Sequence, residues 1–499
     1  MDDWYDADNI QRTNNNMLKP LITIEDWSGG ATLNPSFGRK NQYFNSQGID
    51  HSMREGYITT APSKIEMNLS GTHINAPIFA MCALNTNFFG GSGGKIFKQT
   101  DPETIVLDHT TSGGSTITSM VYHDGFMYYA DVAGVIGRYN VAFDTYADGW
   151  NNTAVGNPQM VVASDNNLWI GSGSIVSKFD GTAFTLNALD LPSEYVIATV
   201  KNFGTQYIAI CATSTYQLKS KIFIWDRLSS SWNNEVSLHE KEIYSALAVK
   251  GNLWILAGSY NMSLYILPFG SLSPIKVKQF NQDSNATSAR SYANAMDYRD
   301  GRVYFGVSDS DIHSIRSGVL LNGVYSMSTD LTKLDLTCEY AIDPNINEIN
   351  QRVSLVQMGY PYRLFSFNSF LSPYPTPAYR LYGQDSTGIV SGEVKSFWYV
   401  APPGTRFLFD GFGGEALQGL TENYTPTVTL EVYTNLSSSS STPIFSSQSG
   451  SFYKTKTFEC KAIMFKVTIT DSYSAGDNDT DKIFLKSIYA TGKLIADPR

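Results

Sequence analysis

The sequence predicts an all-β protein: a β-propeller of about seven blades over residues 71–385, then a jelly-roll-like β-sandwich over 386–499. Three observations predict it. A turn-plus-apolar-run pattern recurs along the middle of the chain. The composition is rich in Tyr, Phe, Gly, Ser, Thr and Asn. The last hundred residues change to longer strands of alternating polarity.

The repeat comes first. A few apolar residues lead to a tight polar turn, an apolar or aromatic run, small residues and another strand. The copies turn at Asn85-Thr86, Asp124-Gly125, Asn166-Asn167, near Gly204, at Lys250-Gly251, at Asp300-Gly301 and, more weakly, near Gly359. The steps are 39, 42, 37, 47, 50 and 58 residues, against roughly 40–50 for a four-stranded propeller blade. Drift in these steps leaves six, seven or eight blades open, and seven fits best with early residues completing the last blade. Asp-Gly and Lys-Gly supply positive φ for hairpins between inner strands. Runs such as NLWIGSG, NLWILAGS and RVYFGVS read as strands buried on both faces by neighbouring blades. Trp169, Trp254, Tyr128 and Tyr304 occupy equivalent places in their copies and are expected in inter-blade core rather than on a ligand platform. Gly and Ser after the aromatics are expected to let backbones crowd near the axis.

The flanks differ. Residues 1–70 read as an arm and first strands, with Trp4, Tyr5, Trp27, Tyr43 and Phe44 on weak periodicity. Such a segment cannot bury its aromatics alone. In the sandwich, Val428, Leu430 and Val432 alternate with Thr427, Thr429 and Glu431, so one face packs and the other is wet.

Composition bounds function. The chain has 499 residues, 42% hydrophobic and only 16% charged, with a net charge of −10 that argues against a general nucleic-acid surface. Cys82, Cys211, Cys338 and Cys460 are far apart, as expected of free thiols in a reducing compartment. No cationic, apolar leader opens the sequence and no run reaches the ~18 apolar residues of a membrane span. Seven Asn-x-Ser/Thr sequons, at Asn68, Asn151, Asn261, Asn285, Asn423, Asn435 and Asn478, read as a by-product of composition.

Chemistry is sparse. There is no GxSxG, HExxH, GxxxxGK[ST] or CxxC, and no sialidase-type Ser-x-Asp-x-Gly-x-Thr-Trp turn. The six histidines, His51, His73, His109, His123, His239 and His313, show no paired spacing. His123 beside Asp124 is the one acid/base pairing to weigh, and the repeat makes it a polar turn. Asp477, Asn478, Asp479 and Asp481 alternate as in a Ca²⁺ loop, but Lys482 stands where an EF-hand needs Gly and no Glu closes the loop. Asp309 and Asp311 are weaker still. Trp225-Asp226 is a lone WD pair without the recurring Gly-His partner of WD40 repeats. No catalytic, cofactor-binding or metal-binding residue is therefore assigned, no cofactor is expected, and the chain is expected not to be an enzyme.

One stretch carries a resemblance. WSGGATLNPSFGRKNQYFNSQGIDHSMREGYITTAP combines Trp27, Gly29 and Gly30 with Asn41-Gln42-Tyr43-Phe44, Ile49-Asp50 and the Gly56-Tyr57-Ile58 strand. It resembles the segment that leads into the propeller of structural proteins in tailed-bacteriophage virions, of the tail-tube or nozzle type. The resemblance covers about 35 residues and implies a virion protein of the tail or head–tail region that self-associates in a ring. It also implies portal, adaptor or other tail proteins as partners, genomic DNA passing without sequence-specific contact, no membrane insertion, synthesis in the host cytoplasm and residence in the virion. The competing expectation is a glycan-binding or glycan-processing propeller, a receptor-binding tail protein with an accessory carbohydrate-binding sandwich.

Overall fold

A computed structural model describes residues 20–25, 27–29, 31, 42–51, 57–61, 64–70, 76–84, 87–101, 104–152, 154–216, 219–258, 261–280, 289–309, 322–333, 335–341, 351–359, 364–369, 379–384, 388–418, 427–437, 441–447, 450–473 and 483–497. Among them every regular element is a strand. The chain divides into a ring unit, residues 64–331 and 340–385, and a terminal unit, residues 1–63, 332–339 and 386–499.

The ring unit is a β-propeller of antiparallel sheets, each running outward strand by strand. The first sheet is Ile78–Leu84, Asn87–Ser92, Lys95–Asp101 and Thr104–Thr110, with Asn68–Ser70 added parallel to the last. The second is Ile117–His123, Phe126–Asp131, Ile136–Asn140 and Thr145–Asn151. The third is Gln159–Val162, Leu168–Ser172, Ile175–Phe179 and Phe184–Asp190. The fourth is Tyr195–Phe203, Tyr207–Ser214, Lys221–Trp225 and Asn234–Ser237. The fifth is Glu242–Val249, Asn252–Gly258, Met262–Pro268 and Ile275–Phe280. In the next, Ala289–Arg290 and Met296–Arg299 both pair with Arg302–Asp309, followed by Gly323–Ser328 and Thr337–Ala341, a strand whose residues 337–339 count with the terminal unit. The last is Gln351–Gln357, Leu364–Ser369 and Tyr379–Gln384, and its outermost strand is Lys64–Glu66 from the start of the unit. The ring thus closes with a strand drawn from residues expected to lie in the arm.

The hairpins follow the turn chemistry. Asp124 and Gly125 (φ 47° and 82°), Lys250 and Gly251 (50° and 75°) and Asp300 and Gly301 (49° and 83°) each link strands whose flanking residues pair directly, the geometry of a two-residue type I′ turn. Asn166 also has positive φ, but Val162 pairs with Leu168, so that connection is a five-residue loop instead of the expected dipeptide turn. Asp165 holds it, accepting from the Asn167 amide at 3.2 Å and the Trp169 indole at 3.3 Å. Asn85-Thr86 lies outside the described residues.

Core forms between successive sheets. Tyr128, Ala130 and Ile136 of the second sheet pack with Met160, Leu168, Ile170 and Phe179 of the third. Phe280 of the fifth lies 5.9 Å from Phe305 of the sixth. Leu355, Leu364 and Leu381 of the last pack with Ile78, Phe88 and Phe97 of the first. Trp169, Trp254, Tyr128 and Tyr304 are all buried.

Small residues at the inner ends of the second strands make room for the next sheet. A Cβ on Gly91 would stand 2.6 Å from Ile117, and one on Gly306 2.7 Å from Val353. The innermost strands share a register irregularity near their starts, at Ile78/Ala80, Ile117/Ser119, Ile197/Thr199, Ile243/Ser245 and Val353/Leu355. Bulges of this kind re-aim a strand and leave groups unpaired, and hydroxyls at or beside them bond the next sheet. Ser119 Oγ accepts from the Met160 amide at 3.1 Å, while Ser245 donates to Ala293 O at 3.0 Å and Ser354 to Ile78 O at 2.6 Å. Asn294, on the connection inside the sixth sheet, donates to Phe79 O (2.7 Å) and Thr118 O (3.2 Å) and accepts from the Val356 amide (3.1 Å). It therefore bonds to the first, second and last sheets.

The terminal unit holds two main sheets, ordered Pro20–Ile24, Ile483–Ala496, Thr405–Gln418, Gly450–Cys460 and Asn45–Gln47, Gly388–Lys395, Ala462–Tyr473, Thr427–Thr434, Thr442–Ser447. Their inward residues form one core, in which Ile22, Phe409, Phe412 and Ile488 meet Val428, Leu430, Phe465 and Val467. Short strands from the segment read as an arm and first strands are built into these sheets. Pro20–Ile24 pairs with Ile483–Ala496 and Asn45–Gln47 with Gly388–Lys395, because both C-terminal sheets otherwise end in an open edge. Trp4 and Tyr5 lie outside the described residues.

Candidate functional site

His123 and Asp124 do not form a pair. His123 ends an innermost strand and is buried, its Nε2 2.8 Å from Asn166 O and its ring between Tyr128 and Phe179. A contact with a carbonyl oxygen requires the proton on Nε2. Asp124 is exposed on the type I′ turn. The residue types are therefore a core histidine and a turn aspartate.

Among the described residues a dense polar constellation lies between the outer strands of the first two sheets. His109 Nε2 is 3.0 Å from Asp148 Oδ1, the Ser112 amide donates to Asp148 Oδ2 at 2.8 Å, and the Tyr129 hydroxyl donates to the same carboxylate. Tyr146 donates to Asp108, and its ring stacks on His109 with centroids 4.0 Å apart and planes at 4°. Tyr139 donates to Asp144 at 2.6 Å. Burial would push Asp148 up, but the bonds from Tyr129, His109 and the Ser112 amide outweigh it and hold the carboxyl below its usual range. Burial, then the adjoining carboxylates, push the Tyr129, Tyr139 and Tyr146 hydroxyls up. Thr111, Ser112, Tyr129, Asp131 and Asp148 line a shallow depression beside it. The arrangement can fasten two sheets together and offers carboxylates beside a stacked aromatic pair.

A second cluster lies at the fifth sheet. Glu240 accepts from the Tyr265 hydroxyl at 2.6 and 2.7 Å and from Lys276 Nζ at 2.9 Å. Burial would raise its carboxyl, but these bonds prevail and lower it, while Tyr265 is pushed up to about 12 by burial and by Glu240. A carboxyl depressed in the folded state contributes stability above its ordinary range, and that contribution is lost as pH falls through the folded value. Glu240→Gln should therefore destabilise the protein by about 1.5–3 kcal/mol at pH 7, the worth of hydrogen bonds to a charged group. The deficit should shrink as the pH falls from about 5 towards 3 in denaturant titrations. Parallel wild-type and variant curves over that range would refute the assignment.

The other sequence candidates are dispersed. His51 is buried in the terminal unit, its Nε2 2.7 Å from the Tyr43 hydroxyl, and His239 is exposed. His73, His313, Asp311 and Asp477 to Asp481 lie outside the described residues, and Asp309 ends a strand of the sixth sheet. All four cysteines are buried and none forms a disulfide, and burial pushes the Cys82, Cys211 and Cys460 thiols up to about 12. Trp225-Asp226 is a local device: Asp226 caps the loop through the Leu228 and Ser229 amides at 2.9 and 2.8 Å. Among the described residues no group of three or more His, Cys, Asp or Glu is placed to hold a metal ion, and no helix is long and apolar enough to cross a membrane.

Sequence reading missed the His109–Asp148 and Tyr146–Asp108 contacts. Their partners are 39 and 38 residues apart, about one repeat step, so they occupy the same place on neighbouring sheets. A polar pair one repeat apart was the available signal.

No protein-family model matches the chain, and no curated protein matches it. Among solved structures it is similar to the computationally designed protein Ika8 (9% identity, TM-score 0.41, covering 66% of this chain and 86% of that one). It is also similar to a chain of the mitotic checkpoint complex (13%, 0.44, 65% and 94%) and to the Dos1 propeller (12%, 0.42, 70% and 92%).

Proposed function

We propose that the protein is a structural component of a tailed-bacteriophage virion, in the tail or head–tail region, assembling as a repeated subunit of a ring. In this reading the ring unit is a seven-bladed propeller and the terminal unit a β-sandwich. The observation that carries it is the packing of the segment whose sequence resembles such proteins. Trp27 and Tyr43 are both fully buried with ring centroids 6.0 Å apart, and Ala31 bridges Tyr43. Those residues serve a folded scaffold and leave the surface to make contacts. Portal, adaptor or other tail proteins would be the neighbours. Genomic DNA would pass through the lumen of the assembled ring without sequence-specific contact. Ring contacts are head-to-tail, so opposite sides of the subunit should be complementary. The purified protein, concentrated and weighed in solution, should form a closed oligomer, and antibodies against it should decorate the tails of purified particles. A persistent monomer that is absent from particles would refute the proposal.

The stacked His109–Tyr146 pair with Asp108 and Asp148 favours one second reading, a glycan-binding tail protein. Glycan-array binding abolished by Tyr146→Ala, in a protein that stays monomeric, would put that reading first.

A further inference from the structure

The strand Gly450–Cys460 is one edge of its sheet in the terminal unit. It pairs with Thr405–Gln418 on one side, and among the described residues no strand pairs with its other side. At 11 residues it is a long edge, of the kind that templates another strand. Register fixes which of its side chains face the core. Lys454 stands in one row with Phe412, Ala490 and Ile22, all core residues, so it leaves the edge on the core side. Alternation places Phe452, Lys456 and Phe458 on that side too. Phe458 stacks on Phe412 at 5.5 Å, and Lys456 Nζ donates to Pro443 O of the facing sheet at 2.7 Å. Phe452 and Phe458 are half-buried, and Lys454 is exposed. Among the described residues no hydrogen bond or ion pair reaches the Lys454 amine. The edge therefore presents aromatic, lysine, lysine, aromatic at every second residue.

Residues 1–19 lie outside the described residues, and their sequence carries the complement. Trp4, Asp6, Asp8 and Ile10 run apolar, aspartate, aspartate, apolar at every second residue, and the first ten residues hold Asp2, Asp3, Asp6 and Asp8 with no Lys or Arg. The segment joins the same sheet at its opposite edge. Pro20 pairs with Thr491, Thr491 with Gly411 and Gly411 with Thr455, so a strand added beyond Gly450–Cys460 would lie four strand spacings from Pro20, about 19 Å. Residues 11–19 reach about 30 Å fully extended. To cap its own far edge the segment would have to be drawn nearly straight across its own sheet, whereas a neighbour's segment needs no such detour.

We propose that residues 4–10 of a second copy add as a strand to the Gly450–Cys460 edge, with Trp4 and Ile10 covering Phe452 and Phe458, and Asp6 and Asp8 meeting Lys454 and Lys456. The proposal rests on the ring reading above and names the contact that links neighbours. Donor and acceptor lie at opposite edges of one sheet, so each copy gives a strand and takes one, a head-to-tail relation that a ring closes. Backbone bonds supply the affinity. The side chains supply the register, because a slip of one residue would turn the aspartates to the other face, beside Tyr453 and Thr455. The inward lysines also reject other strands, since an apolar one would cover their charge without pairing it.

The test uses the intact chain. Equal parts of ordinary and isotopically heavy protein are mixed dilute, concentrated and treated with a carbodiimide, which joins amines to carboxylates already in contact. Peptide mass spectrometry should find Lys454 or Lys456 joined to Asp6 or Asp8, with about half of the joined pairs uniting a light and a heavy peptide. Lys454→Glu with Lys456→Glu should weaken self-association at least about tenfold in sedimentation, and so should Asp6→Lys with Asp8→Lys. Combining all four should restore most of the loss. Lys493→Glu, on the mid-sheet strand Ile483–Ala496, should change nothing. Joined pairs that are only light with light and heavy with heavy would mean that the segment caps its own copy, which overturns the proposal. So would the absence of such pairs, a failure of the combined variant to recover, or an equal loss in Lys493→Glu. A closed oligomer without these pairs leaves the ring reading standing on another contact, whereas a monomer absent from particles removes both.

Discussion

Trp254→Ala should destabilise the ring unit by about 3–5 kcal/mol, the cost of emptying a large core position. Trp254 is 0% exposed, in the middle of Asn252–Gly258 and flanked in register by Leu247 and Ile266, so the cavity has strand backbone on both sides and little freedom to collapse. Its indole nitrogen is buried without an acceptor. Trp254→Phe should therefore cost far less, because it removes an unsatisfied donor together with part of the ring. Trp169 offers the contrast. Its indole donates to Asp165 and its ring packs edge-on against Trp225 at 5.2 Å, so Trp169→Phe should lose a hydrogen bond as well as volume. Urea midpoints of the three variants decide the matter. An unmoved midpoint for Trp254→Ala would show that the site is not core.

Two N-terminal truncations should separate the units. Removing residues 1–61 spares Lys64–Glu66 but takes Pro20–Ile24, Asn45–Gln47 and Thr59–Thr60 from the terminal unit. That unit should melt early, while the ring keeps its cooperative transition. Removing residues 1–70 also takes the strand paired with Tyr382, Gly383 and Gln384. With backbone bonds worth about 1 kcal/mol each, the ring should lose roughly 3 kcal/mol or more. The strand Tyr379–Gln384 would then be an open edge, and the longer truncation should aggregate. Equal ring stability in both truncations would mean that Lys64–Glu66 closes nothing.

These predictions show which features were legible in the chain. The hairpins were, because Asp124-Gly125, Lys250-Gly251 and Asp300-Gly301 need positive φ and carry the residues that adopt it. The buried aromatics were, because a strand covered on both faces reads as an unbroken apolar run. The Asn166 loop was misjudged because Asp165, three residues before the strand, sets its length through side-chain bonds. That early residues would complete the last blade was anticipated, but that Lys64–Glu66 do so, and the placement of Pro20–Ile24 and Asn45–Gln47, were not legible. Each is short and pairs hundreds of residues away, so no local periodicity announces its partner. The polar contacts joining neighbouring sheets were legible in principle only, as pairs one repeat apart.

The closing strand sets a schedule for biosynthesis. Glu66 leaves the ribosome roughly 316 residues ahead of its partner Tyr382. At about 5–20 residues per second the delay is on the order of 15–60 s. During it the early sheets can form in order, each covering the last, while Lys64–Glu66 has no partner. Pro20–Ile24 waits longer still, since its neighbour begins at Ile483. A nascent chain stalled before Tyr379 should therefore be sensitive to protease around residues 62–66, and one released past Gln384 should not. Translation speed over the last two sheets, rather than the stability of any one of them, then governs how much chain is exposed to misassembly.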